Sequence, residues 1–275
     1  RKPLEKLSRE GYEVTVLSPD STGAISADAV RAALREDTAL VTLMMVNNET
    51  GAVTDIAGIV RTLRAAKSRA LLPTAAVQGF MKAPFSAKTL GADMISVSGH
   101  KVHAPKGIGA LYIRQGLKLP AHILGGGQED GLRSGTEPMP QIAAFGEAVR
   151  IAKAEMPEAN KRMEALRAQC VQTLTDTVPG IVFLGGGSAH ILSLSLPGYR
   201  SEVLMNYLEA KGIYVSKSSA CKRGKRSHVL EAIGAQDKVI DGALRVSFSR
   251  YTTAEECVSF CEALAAARKE LYPTL

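Results

Sequence analysis

Cysteine is scarce in this chain of 275 residues, which contains only four. So few cysteines cannot form a disulfide framework at this length, and we therefore expect a reducing, cytoplasmic environment. Cys170, Cys257 and Cys261 lie in helical stretches, where burial in a core is more typical than metal binding, and we predict no metal site. No apolar run approaches the ~18 residues that cross a bilayer. The expectation is a soluble protein without a membrane partner.

The signatures of nucleic-acid binding are missing as well. The formal net charge is +7, which can favour acidic partners. However, the chain has no basic arm, no zinc-finger spacing and no aromatic residues interleaved with its basic runs, so we predict no nucleic-acid partner. The chain starts at Arg1, without methionine, and its first residues show no charged-then-apolar leader. We expect it to be a piece of a longer chain, or one recorded from an internal residue.

Strand and helix patterns alternate along the chain. Residues 39–46 form a continuous apolar run, which is typical of a strand buried on both faces of a parallel sheet. Because such runs alternate with amphipathic stretches, we predict an α/β fold with a mostly parallel sheet flanked by helices. Further strands are predicted at 12–17, from 70, and at 92–97, 107–114, 190–196, 213–216 and 243–248. Helices are predicted at 1–11, 27–35, 56–67, 139–175, 201–211, 227–233 and 253–271, with Pro157 kinking or dividing the fourth.

One lysine lies on a tight polar turn between two of these strands. Ser98, Gly99, His100 and Lys101 follow the strand at 92–97, and the chain then returns as the strand at 107–114. A lysine held where two strands break can lose solvent, lower its pKa and form a Schiff base with a carbonyl. Ser98 and His100 can point donors into the same space, which suits a phosphate. Taken alone, Lys101 and Lys106 could equally be ordinary loop lysines.

Three other stretches carry polar chemistry. Residues 123–136 are rich in glycine, which alone predicts only a flexible loop. Cys221 lies in a small, polar loop with four basic residues after it, and neighbouring cations favour the nucleophilic thiolate. Arg245 lies in a short apolar strand, and its planar guanidinium suits a carboxylate ligand.

Together these stretches resemble the motifs of the cysteine desulfurases, in the class V aminotransferase group. The segment Ser-Gly-His-Lys followed by Pro-Lys-Gly-Ile-Gly-Ala-Leu-Tyr is similar to the family's pyridoxal-phosphate lysine segment. Four further motifs appear in the family's order, at 46–51, 125–136, 218–221 and 244–247. A coincidental match of five ordered motifs is very improbable.

The resemblance implies a fold as well as a chemistry. The family's fold is that of the pyridoxal-phosphate-dependent transferases, which is similar to aspartate aminotransferase. Residues 1–140 would then be part of the large cofactor-binding domain, 141–175 a connecting helical region, and 176–275 a smaller C-terminal α/β domain.

The resemblance also implies roles for individual residues. Lys101 would hold pyridoxal 5'-phosphate, with His100 as an acid–base or positioning group. Cys221 would take sulfur from L-cysteine, leaving L-alanine and a persulfide for iron–sulfur cluster or other thio-cofactor assembly. The cofactor would also contact Gln78, Ser98, His100, Asn48 and Thr136, and the substrate carboxylate would bind Arg245 and Asn48.

The implied partners are a second copy of the chain and a sulfur-acceptor protein. Thr136 would reach across a homodimer to the cofactor phosphate of the other copy.

Two departures from the family keep alternatives open. Ala75 stands where the family carries an Asp that pairs with the cofactor's pyridine nitrogen, and Pro73 stands where it carries a His. The family's amino-terminal phosphate cradle has no counterpart here. One alternative is therefore a truncated or catalytically impaired member with an interaction role. Another is a different class V aminotransferase or lyase, against which Cys221 argues.

Overall fold

The computed structural model describes residues 2–217 and 226–273, and every structural statement below refers to that part of the chain. Its helices are α1 Lys2–Arg9, α2 Ala27–Ala33, α3 Ile56–Ala65, α4 Ala87–Leu90, α5 Met139–Thr177, α6 Ser201–Glu209, α7 His228–Ala232, α8 Asp237–Asp241 and α9 Ala254–Glu270. Its strands are β1 Leu43–Met44, β2 Pro73–Ala75, β3 Met94–Ser98, β4 Gly109–Ile113, β5 Val182–Phe183, β6 Ile191–Ser195, β7 Ser216–Lys217 and β8 Ala243–Ser247. A short 3₁₀ helix, Gly99–Val102, follows β3.

The first sheet has the order β1-β2-β3-β4 and is mostly parallel. β1 pairs with β2 and β2 with β3 in parallel, whereas β4 returns antiparallel to β3. The apolar face of α3 is buried because Ile56, Ile59 and Leu63 recur at helical spacing and pack against the sheet. The predicted sheet type is therefore confirmed, and the carboxyl ends of three neighbouring strands meet at one edge.

The second sheet has the order β5-β6-β8-β7, and all its pairings are antiparallel. All five residues of β6 are buried. Helices α5, α6 and α9 contribute to the core on one face, where Leu174, Leu204 and Leu264 are fully buried. The burial of each leucine side chain stabilises the folded state by about 1.5–3 kcal/mol relative to an exposed side chain.

Helix α5 joins the two sheets and runs unbroken through Pro157. The helix is therefore not divided at Pro157, and a kink at this residue stays a prediction. Buried side chains on both sides of the proline, such as Ala152 and Ala159, hold the helix against the rest of the protein. Tertiary contacts thus compensate for the missing backbone donor.

Three strand predictions also differ from the structure, and of the strand predicted at 213–216 only Ser216 belongs to β7. Residues 12–17 form no strand, because no other strand lies beside them and Tyr12 and Val16 are more than 60% exposed. The apolar run at 39–46 pairs as a strand only at Leu43–Met44, with single bridges at Leu40 and Val46. Strand tendency alone does not form a sheet without partners. No described helix is both long and apolar enough to cross a membrane.

Candidate active site

Polar side chains collect where β1, β2 and β3 end. A turn at 47–51 follows β1, Gln78 follows β2, and Ser98 and Lys101 lie at the end of β3. Ligands of α/β sheets bind at this edge of the sheet. The edge therefore holds most of the residues that the sequence predicted for the first half of the site.

The side chain of Asn47 stabilises the turn that follows β1. Asn47 Oδ1 accepts hydrogen bonds from the backbone N–H groups of Glu49, at 2.8 Å, and of Thr50, at 3.0 Å. Gly51 closes the turn with φ +72°, and a Cβ there would lie 2.8 Å from Ser188 Oγ. Only glycine fits this close approach, which brings the turn against the second sheet.

Lys101 lies in the 3₁₀ helix, which packs closely against the start of β4. A Cβ on Gly99 would lie 2.8 Å from Ile108 Cγ2, so this turn too requires glycine. Ser98 Oγ and His100 Nδ1 are 2.8 Å apart and form a hydrogen bond. Burial, and then the charge of Arg245, lowers the pKa of Lys101 below its usual value. The amine is therefore more readily deprotonated, and so more nucleophilic, than an ordinary lysine.

Arg245 is the residue through which the second sheet contributes to this site. It lies on β8, and its Nη1 donates a hydrogen bond to the backbone carbonyl of Asn48 at 2.9 Å. Its Nε is buried without a hydrogen-bond partner among the described residues. A buried cationic donor without an acceptor is costly, and a ligand carboxylate would satisfy it.

Two basic residues of the site were not predicted from the sequence. Lys82 follows β2, and Asn160 of α5 holds its backbone carbonyl through a 2.7 Å hydrogen bond. Burial and the charge of Lys101 lower the pKa of Lys82 to about 8. His190 precedes β6, is only 4% exposed, and has no described hydrogen-bond partner on either ring nitrogen. Burial, with the charges of Lys82 and Lys101, lowers the pKa of His190 to about 3.

A buried acid beside Arg245 was missed as well. Glu49 is 8% exposed and accepts a hydrogen bond from Ser227 Oγ. Burial raises the pKa of Glu49, while Ser227 and the charge of Arg245 act in the opposite direction. Glu49 stands inside the quoted motif at 46–51, so its position was visible in the sequence, but its burial was not.

The remaining predicted residues are placed as follows. Gln78 is 9% exposed, at the end of β2. Thr136 is exposed on the glycine-rich loop, so its contact with a second copy stays a prediction. Ala75 ends β2, between Met44 and Ser96 in register. Cys221 lies outside the described residues.

No acidic side chain is among the groups that shift the pKa values of Lys82, Lys101 and His190. This part of the edge therefore carries an excess of positive charge, which suits an anionic ligand. Among residues 2–217 and 226–273, no group of three or more His, Cys, Asp or Glu side chains could hold a metal ion.

Comparison with known proteins agrees with this geometry. The sequence profile described as aminotransferase class-V matches residues 1–260. Cysteine desulfurase 2 of Trichormus variabilis is 41% identical over 257 residues, covering 92% of this chain and 64% of that protein. Cysteine desulfurase IscS of Tolumonas auensis is 43% identical over 258 residues, covering 91% of this chain and 62% of that protein.

A solved structure is similar to this chain as well. A structure described as a NifS-like protein superposes with a TM-score of 0.90 at 36% identity, covering 98% of this chain and 72% of the other. The chain thus spans slightly less than two thirds of the curated relatives it matches. The resemblance read from the five motifs is confirmed: the chain belongs to the class-V aminotransferase family and is similar there to the cysteine desulfurases.

Proposed function

We propose that this chain acts as a cysteine desulfurase that depends on pyridoxal 5'-phosphate. The reaction takes the sulfur of L-cysteine, releases L-alanine and leaves a persulfide on Cys221. The carbon–sulfur bond of the substrate breaks, a sulfur–sulfur bond to Cys221 forms, and a proton replaces sulfur on the carbon. The observation that carries the proposal is the partly buried amine of Lys101, with its lowered pKa, beside an arginine bonded to Asn48.

The residues present fit the cofactor at its aldehyde and its anionic end. Lys101 supplies the amine, the Ser98–His100 pair supplies donors at the end of β3, and Gln78 is buried at the end of the neighbouring strand. The orphaned Nε of Arg245 marks a place for an anion. The fit is weaker at the ring nitrogen, because Ala75 offers no carboxylate there. When bound, pyridoxal phosphate supplies an electron sink for cleavage next to the amino-acid α-carbon.

The chain's own residues divide the remaining work. Arg245 and Asn48 bind the substrate carboxylate and orient the amino acid. Lys101 carries protons at its amine, since a lysine of lowered pKa gives up and takes back a proton more readily than an ordinary lysine. His100, bonded to Ser98, is held in one orientation and can present its other ring nitrogen to the ligand.

The proposed partners follow from the family. Cys221 would pass its sulfur to an acceptor protein, in iron–sulfur cluster or other thio-cofactor assembly. Thr136 would complete the site of a second copy in a homodimer. The buried free thiols Cys170, Cys257 and Cys261 fit the reducing cytoplasm proposed for the chain.

Absorbance tests the cofactor directly. After incubation with pyridoxal phosphate, we expect a visible band at about 400 nm from the cofactor joined to Lys101, and none in Lys101→Ala. Lys106→Ala, which removes an exposed lysine of the same loop, is the matched control and should keep the band. A chain without the band in any variant does not have the proposed function. Sulfide released from L-cysteine, compared with Cys221→Ser, then tests the thiol.

A second reading is favoured by one observation, the alanine at the end of β2. Without a carboxylate at position 75, nothing there stabilises a proton on the pyridine nitrogen of the cofactor. The chain would then be a catalytically impaired family member with an interaction role.

Ala75→Asp tests this second reading. We predict that it raises desulfurase activity by about tenfold or more, because a protonated ring is the better electron sink. Ala66→Asp, at an exposed position at the end of α3, is the control and should not raise it. If Ala75→Asp leaves the activity unchanged, Ala75 does not face the ring nitrogen.

A further inference from the structure

Glu49 connects the two halves of the site without a role in the reaction proposed above. Its carboxylate is buried and accepts a hydrogen bond from Ser227 Oγ, although the two residues are 178 positions apart in the chain. Ser227 also begins α7, since its Oγ accepts a hydrogen bond from Leu230 N at 3.2 Å. Ser227, at the start of α7, therefore fixes the position of the Glu49 carboxylate.

The neighbouring residue is held by the arginine. The backbone carbonyl of Asn48 accepts a hydrogen bond from Arg245, and Glu49 is the next residue in the chain. The guanidinium charge of Arg245 therefore acts on the carboxylate of Glu49. Arg245 itself is half-buried, but its Nε is buried and unsatisfied among the described residues, and the charge of Glu49 acts on it without a direct ion pair. A ligand carboxylate at Arg245 would then add a second negative charge near the same cation.

We infer that Glu49 is a positioning residue that controls carboxylate binding at Arg245, and that a ligand carboxylate binds together with a proton taken up by Glu49. The inference rests on the proposed role of Arg245 as the carboxylate-binding residue. A ligand carboxylate at Arg245 and an ionised Glu49 nearby repel each other, so the ligand binds best when Glu49 is neutral.

The groups around Glu49 define the direction of the effect. Arg245 on β8 is the charged group that acts on it, Ser227 at the start of α7 is its hydrogen-bond partner, and Lys101 is a further cation that interacts with Arg245. Because burial is the largest influence, the pKa of Glu49 is raised, and Glu49 takes up its proton at a higher pH than an ordinary glutamate. Carboxylate affinity should therefore increase as the pH falls through this raised value.

Formate protection of Arg245 tests the inference without any cofactor. Phenylglyoxal modifies arginines, and peptide mass spectrometry reports the modification of Arg245 relative to the exposed Arg61. We expect the formate concentration that halves the Arg245 rate to rise by at least about threefold from pH 5.5 to pH 8, because ionised Glu49 repels the formate. Formate itself stays ionised over this range, since its pKa lies near that of Asp or below.

Three variants separate the proposed effect from a loss of structure. Glu49→Gln keeps the shape and a hydrogen-bond acceptor but has no charge, so its protection should be strong and should lose most of the pH dependence of the unmodified chain. Ser227→Ala removes a bond that favours the ionised form, so the transition should move to higher pH. Glu231→Gln, an exposed acid on α7, is the control and should behave like the unmodified chain.

Each result decides the inference. A pH profile in Glu49→Gln equal to that of the unmodified chain overturns it, as does a Ser227→Ala variant that is weaker at every pH without a shifted transition. Formate that never protects Arg245 overturns both the inference and the carboxylate-binding role of Arg245. If the expected formate profile appears in a chain that gives no visible cofactor band, the inference stands and the proposed function falls.

Discussion

His190 shows how a single side chain can link this fold to pH. Its ring is buried beside the ammonium groups of Lys82 and Lys101, and neither nitrogen has a described hydrogen-bond partner. Protonation would add a third positive charge to a place with little solvent. The pKa of His190 is therefore about 3 in the folded protein, against 6.5 for the unperturbed side chain.

The sign of the resulting pH dependence follows from proton counting. Below about pH 6.5 the unfolded chain binds a proton at His190 that the folded chain does not, so stability is lost as the pH falls, down to about pH 3. At pH 5 this amounts to about 2 kcal/mol of the free energy of unfolding relative to pH 7.5. Urea titration should show that His190→Gln removes this part of the pH dependence.

Exposed His122 provides the control for this prediction, because it lies in solvent. His122→Gln should keep the full pH dependence of the parent chain. Equal pH dependence in His190→Gln and in the parent would show that His190 is protonated, or hydrated, in the folded state.

At the scale of elements, α5 is the least expected feature. It has 39 residues and contains an exposed proline at position 157. A proline inside a helix removes one backbone hydrogen bond and crowds the preceding turn. The helix persists because side chains along its length, including Phe145, Met163 and Leu174, are buried in the protein.

Replacing this proline should therefore stabilise the protein. Pro157→Ala restores the backbone donor at an exposed position, and we expect the free energy of unfolding in urea to rise by about 1–3 kcal/mol. Pro140→Ala is the matched control, because Pro140 stands in the first turn of the same helix, where proline is favoured. Its effect should stay within about 0.5 kcal/mol. An unchanged stability in Pro157→Ala would mean that α5 is locally deformed around the proline.

At the scale of the whole molecule, the reactivity of the buried thiols in the core of the second sheet reports how cooperatively the protein unfolds. Cys170 on α5 and Cys257 and Cys261 on α9 are at most 4% exposed and belong to one core cluster. Burial is the main reason that the pKa of Cys257 is raised to about 12. These thiols can react with an alkylating reagent only when α5 and α9 separate.

We therefore predict slow alkylation of all three thiols in the native protein and fast alkylation in urea. In a Cys221→Ser background, mass spectrometry should show the three residues becoming reactive at the same urea concentration. Lys106→Cys, at an exposed position, should react at once and so controls for the reagent. Fast labelling of the three without urea would contradict the packing of α9 on α5. Labelling at lower urea than the loss of helix signal would support the predicted division into domains at 1–140, 141–175 and 176–275.

Local signals in the sequence determined the family, the alternation of strands and helices, and the turns that hold Lys101 and Asn48. They could do so because glycine, asparagine and apolar periodicity act over a few residues, and because the motif residues follow one another in the chain. Arg245 was likewise found through its motif at 244–247.

Only the tertiary structure decided which other residues join the site and which elements persist. The bond between Glu49 and Ser227 links positions 178 residues apart, and the pKa shift of His190 depends on two lysines from other elements. The continuity of α5 and the absence of a strand at 12–17 depend on what packs beside them. Burial and long-range charge are sums over neighbours that the folded chain brings together, so no short stretch of sequence contains them.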